Sequence, residues 1–189
     1  MNAEQIVRFF TVVGEILQEV GAKEPYRILL IGGGYMVTQV GNRDATKDID
    51  CIFTSATLTS PEHTLFARVV TIALEEVSQE FPCEFTDSFG DHLQSVTKLP
   101  AGRLWLKTGM LEVFVPDDRY ILALKLEAGR EKDLDDIRAL FPRVGISTRK
   151  EAQRLIAEFY HPWVRRGRSK QWRTSLDTVF RALTGEGNT

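Results

Sequence analysis

The stretch ILLIGGGYMVTQVGNRDATKDIDCIF, residues 28–53, decides how the rest of the chain is read. An apolar run, Ile28, Leu29, Leu30 and Ile31, predicts a buried strand that stops at Gly32, Gly33 and Gly34. Tyr35, Met36, Val37 and Val40 suit a short helix ending near Gly41, and a polar loop over residues 42–47 feeds a second strand over 48–53. Strand side chains alternate, so Asp48 and Asp50 fall on one face while Ile49 and Cys51 point the other way.

Two carboxylates side by side repel by roughly 3 kcal/mol at about 5 Å and an effective dielectric near 20. A divalent cation removes that cost. Mg²⁺ suits a site with few carboxylates and open positions for phosphate oxygens, and Mn²⁺ can take its place. The glycines supply the other half, because backbone N–H groups at such a turn can cradle a phosphate with no Cβ in the way. A phosphate cradle beside metal-binding carboxylates describes a site for moving a nucleotide.

The spacing matters more than either half. Strand, Gly33-Gly34, short helix, then Asp48-Ile49-Asp50-Cys51 resembles the signature of the nucleotidyltransferase superfamily of polymerase-beta type. That resemblance implies an α/β (α+β) fold: a mixed sheet with flanking helices over residues 1–116, and a C-terminal helical bundle over 117–185. It implies a nucleoside triphosphate as substrate, Mg²⁺ or Mn²⁺ held by Asp48 and Asp50, and phosphates held at Gly33 and Gly34. A third carboxylate on a neighbouring strand completes such sites. Glu112, acidic inside Leu111-Glu112-Val113, is the expected one. Arg43 and Thr46, just before the Asp pair, are similar to an Arg and a Thr that occur there in this family, which implies that they bind the nucleotide, Arg43 at a phosphate oxygen.

A second block, Leu124-Lys125-Leu126-Glu127-Ala128-Gly129-Arg130-Glu131-Lys132-Asp133-Leu134-Asp135-Asp136-Ile137, resembles a motif of AbiEii-like toxins of type IV toxin–antitoxin systems. It implies that Lys125 neutralises the triphosphate, with Lys132, Asp133 and Asp136 continuing a nucleotide-binding face. It also implies RNA such as tRNA, or a protein, as acceptor, and a cognate antitoxin as partner. From the residues alone, the block reads equally as a helix laced with ion pairs. A non-catalytic binding module and a small-molecule, antibiotic-modifying transferase are the alternative readings.

Composition sets the outer bounds. Apolar residues at 43%, charged residues at 26% and a net charge of −2 describe a globular domain without a global basic field. No apolar run suits a membrane span and no signal-peptide pattern opens the chain, so a cytoplasmic protein with reduced Cys51 and Cys83 is expected.

Elsewhere the periodicity predicts helices over 3–20, 61–80, 133–141, 147–160 and 172–183, and one begun by Asp117 or Asp118. Strands are expected at 84–85, 93–97, 103–107 and 111–115, with Asp91 and His92 solvated at a turn. Between the last helices lies a basic connecting loop. Trp163, Arg165, Arg166, Arg168, Lys170, Trp172 and Arg173 there interleave cations with aromatics, a composition that suits RNA with unpaired bases.

Overall fold

The computed structural model describes residues 1–55, 60–87 and 99–184. It divides into two compact units, the first comprising residues up to 87 with Ala101–Pro116, the second built on the chain from Asp117 onward. The strand expected at 93–97, and Asp91 and His92, lie outside the described residues.

The first unit is mixed α and β. Its five strands are β1 (Tyr26–Ile31), β2 (Asp48–Phe53), β3 (Glu84–Asp87), β4 (Arg103–Thr108) and β5 (Leu111–Val115), ordered β3-β2-β1-β5-β4. β1 runs antiparallel to β2 and parallel to β5; β2 is parallel to β3, and β4 antiparallel to β5. The alternation expected for β2 holds where it matters: Ile49 and Cys51 are fully buried, and Asp48 and Asp50 are half-buried on the opposite face.

Helices α1 (Ala3–Glu19) and α3 (Pro61–Val77) cover the Ile49 face. Asn2 and Gln5 form a reciprocal capping box that opens α1, and Ser60 with Pro61 opens α3. Phe53 stacks on Phe66 at 4.9 Å between ring centroids, Tyr26 on Phe66 at 6.1 Å, and Phe9 meets Phe85 at 5.9 Å. Each fully buried aromatic of this layer contributes about 1.5–3 kcal/mol relative to exposure. α1 buries Val12 beside Ile6, Phe9, Phe10, Val13 and Leu17, and ends before Val20, which stays exposed.

The glycine triplet is the first turn of a helix rather than a loop. α2 (Gly32–Tyr35) begins directly at the end of β1 and continues as a π-helical turn, Met36–Val40, closed by Gly41. A π turn sets side chains at an unusual angle and is frequent beside functional sites.

In the second unit α4 (Asp118–Ala128) packs against α5 (Leu134–Val144), α6 (Arg149–Phe159) and α8 (Ser169–Thr184). A 3₁₀ turn, Glu131–Asp133, links α4 to α5, and α7 (Pro162–Gly167) precedes α8. The expected basic loop is therefore helical. Val164, Trp172, Leu176 and Val179 are all buried and give α7 and α8 an apolar side that the surrounding cations disguise in the sequence. Among the described residues no helix is long and apolar enough to cross a membrane.

Candidate functional site

β1 and β2 pair so that Ile31 lies opposite Asp50, which places the start of α2 beside the Asp pair. The approach is very close. A Cβ on Gly32 would lie 2.1 Å from Oδ2 of Asp50, and one on Gly33 would lie 2.2 Å from Oγ1 of Thr46 and 3.8 Å from Oδ1 of Asp48. Gly32 also has φ +62, a left-handed conformation that side chains resist. No side chain caps the start of α2. Gly32 and Gly33 are half-buried, so backbone and carboxylates share one partly open surface.

Thr46 ties this surface together. Its hydroxyl lies 3.1 Å from the Asp48 carbonyl and 3.2 Å from Asp48 Oδ1, within donating distance of both. Its own backbone is fixed to residue 1: Thr46 N–H donates to the Met1 carbonyl at 2.9 Å, and the Met1 ammonium donates to the Thr46 carbonyl. Thr46 is buried, with its hydroxyl turned to Asp48. Arg43 sits half-buried in the same loop. Gly34 turns away from the carboxylates. A Cβ there would meet Leu30 Cδ1 at 2.9 Å, so its smallness serves packing of α2 on β1, and Gly32 and Gly33 are the glycines against Asp50 and Thr46.

Glu112 is not brought to the pair. It lies opposite Arg27 on β1, four residues from Ile31 and Asp50. That is about 13 Å along the strands and about 10 Å across them. There it accepts from Lys107 Nζ at 2.9 Å and Arg27 Nε at 3.1 Å. The hydrogen bond from Lys107 chiefly, then that from Arg27, lowers its pKa against the opposing effect of burial. Its pattern of an acid between apolar residues has a structural cause, a cross-strand ion cluster.

The same pattern occurs at Cys83-Glu84-Phe85, and sequence reasoning passed over it. In the β2–β3 register Glu84 lies opposite Asp48, and Thr86 opposite Asp50. In-register neighbours point to the same sheet face, so Glu84 shares the face of the Asp pair, while Phe85 joins the aromatic layer. Glu84 is exposed on the edge strand. Among the described residues no three His, Cys, Asp or Glu side chains converge as a finished metal site. The donor set nevertheless fits a hard divalent cation: carboxylate oxygens with open positions around them.

A family described as a nucleotidyltransferase of unknown function (DUF6036) matches residues 7–147. The chain belongs to that family. No curated protein and no solved structure matches it. The match takes in the glycine triplet and the Asp pair and ends before α6.

In the second unit, Lys125 is buried and donates to Asp133 at 2.8 Å and to Asp136 at 2.6 Å. The anions it meets are thus two carboxylates of its own block. Asp136 has no exposed surface and Asp133 very little, so the three residues form a buried ion triad. Lys132 is exposed. Glu127 is also buried, accepting from Arg168 at 2.6 Å and from the Trp172 indole at 3.2 Å. Trp172 is thus a core residue and Arg168 an anchor, neither being the loop contact that the sequence suggests.

Proposed function

We propose that this chain transfers a nucleotidyl group from a nucleoside triphosphate to an acceptor hydroxyl, with Mg²⁺ or Mn²⁺ held by Asp48 and Asp50. The observation that carries the reading is the contact of the Gly32–Gly33 backbone with those carboxylates. The glycine backbone and the metal-binding oxygens lie together only because both positions lack a Cβ. The cation, when bound, neutralises phosphate charge and lowers the cost of charge building on the leaving pyrophosphate.

The chain's own groups divide the remaining work. Asp48 and Asp50 bind, and Thr46 fixes the Asp48 carboxylate so that it is oriented before substrate arrives. Glu84, across from Asp48, is the third carboxylate of this reading, free on its exposed edge strand to swing toward the pair. The α2 backbone offers donors to phosphate oxygens.

The resemblance of the Lys125 block to AbiEii-like toxins supports a toxin of a toxin–antitoxin pair as the biological setting. The test is incubation of the purified protein with each labelled nucleoside triphosphate, Mg²⁺ or Mn²⁺ and total RNA or protein. Metal-dependent label transfer that is lost in Asp48→Asn and Asp50→Asn is the expected result. Absence of both transfer and nucleotide binding with every triphosphate overturns the reading.

A further inference from the structure

The charge of this chain is unevenly distributed. Of its 26 acidic residues, 15 precede Asp117, whereas 15 of its 24 basic residues follow it. Between Glu158 and Asp177 there is no acid at all and there are five cations, Arg165, Arg166, Arg168, Lys170 and Arg173. This run lies outside the family match, so membership assigns it nothing.

The structure sorts these residues by side. The junction of α7 and α8 keeps helical hydrogen bonds, Arg168 N–H to Val164 O at 2.8 Å and Trp172 N–H to Arg168 O at 2.9 Å, so the two helices continue one winding. Val164, Trp172, Leu176 and Val179 occupy its buried side, and Arg168 is pinned to Glu127. Trp163, Arg166, Lys170 and Arg173 follow at i, i+3, i+7 and i+10, on the exposed side opposite. That spacing makes a stripe about 15 Å long. The first acid beyond it in the sequence, Asp177, is paired with Arg149 at 2.8 Å. At the other end Trp163 is 59% exposed, with its ring within 14° of the plane of His161.

We propose that this stripe binds an unpaired nucleic-acid strand, with Arg166, Lys170 and Arg173 on successive phosphates and Trp163 stacking on a base. A cation row tracks a backbone, and an exposed indole is a platform that only a strand with open bases can use. As a site for the acceptor the stripe rests on the transfer reading above; as a binding surface it does not.

The test is therefore made without triphosphate, on the Asp48→Asn/Asp50→Asn protein. Fluorescence anisotropy with a labelled single-stranded RNA or DNA oligonucleotide of about a dozen residues gives affinity against salt. The triple variant Arg166→Ala/Lys170→Ala/Arg173→Ala should reduce the log–log salt slope by about two, at about 0.7 per lost phosphate contact on a single strand. Lys170→Ala alone should reduce it by about 0.7 and serves if the triple variant does not fold. Trp163→Ala should weaken binding at least about fivefold with the slope unchanged. An unaltered slope in the cation variants, equal affinity for the matching duplex, or equal affinity for polyglutamate with Trp163→Ala neutral would each overturn the proposal, the last in favour of an acidic protein. Strand binding by a wild-type protein that transfers nothing counts against the transfer reading and leaves the stripe standing; transfer by a protein that binds no strand overturns the stripe alone.

Discussion

Gly32 and Asp50 are in contact so close that a single added methyl group at residue 32 would lie 2.1 Å from the Asp50 carboxylate. Gly32→Ala should therefore disturb the carboxylate as well as strain the backbone. The left-handed conformation alone costs on the order of 1–2 kcal/mol. Gly41, at φ +73 with nothing within 4 Å of a Cβ, supplies the control. Gly41→Ala should lower stability by the conformational cost and leave metal-dependent nucleotide binding intact, whereas Gly32→Ala should lose at least about tenfold in that binding, a change of about 1.4 kcal/mol. Equal binding by the two variants in titration calorimetry would remove the contact from the site.

Asp50→Asn should abolish stabilisation by metal plus triphosphate. A ligand of the native state at 100 times its Kd adds about 2.7 kcal/mol to stability. Wild type should therefore melt several degrees higher with Mg²⁺ and the right triphosphate, and Asp50→Asn should melt at one temperature with or without them. Glu84→Gln should reduce the shift without erasing it. A full shift in Glu84→Gln returns that residue to an ordinary solvated edge position.

Much of this arrangement was legible before any coordinates, and the failures share a cause. Strand β2 and the placing of Asp48 and Asp50 on one face follow from alternation, which is local. Glu112 and Glu84 have the same local pattern, an acid between apolar neighbours. Only strand register separates them, putting Glu84 opposite Asp48 and Glu112 opposite Arg27. Register is set by pairing across the sheet, which a single strand's sequence does not contain. Helix α8 starts before residue 172 for a related reason. The glycine and cations at residues 165–170 suggest a loop, while the deciding contacts, Trp172 and Arg168 on Glu127, come from more than forty residues away. The sheet type needed the same non-local information, yet the glycine triplet and Asp pair were enough to indicate it.

Glu112 gives a pH signature. Its pKa is lowered in the folded state, principally by the Lys107 hydrogen bond. The contribution of the cluster is thus complete above the ordinary carboxylate pKa of about 4.3 and fades as pH falls through the lower folded value. Glu112→Gln should be less stable than wild type at neutral pH, and the gap in melting temperature should close below about pH 4. Nucleotide binding in this variant should stay near wild type. A collapse of binding with stability unchanged would place Glu112 at the nucleotide after all.

Lys125 provides the sharpest contrast between sequence and structure. Its position among Ile121, Leu122 and Leu126 makes an inward ammonium costly unless an anion meets it. The anions are Asp133 and Asp136, eight and eleven residues on, beyond the turn at Gly129 where helical spacing no longer indicates neighbours. Lys125→Met keeps most of the side-chain volume but takes the ammonium from two buried carboxylates, one with no exposed surface. Breaking a buried pair in this way costs about 3–5 kcal/mol. Urea unfolding should register that loss. Adding Asp133→Asn and Asp136→Asn to Lys125→Met should recover a large part of it, because the unpaired charges are then gone, though two amides still need partners. If instead Lys125→Met keeps its stability while transfer falls a hundredfold or more, the ammonium serves the triphosphate and the triad is incidental.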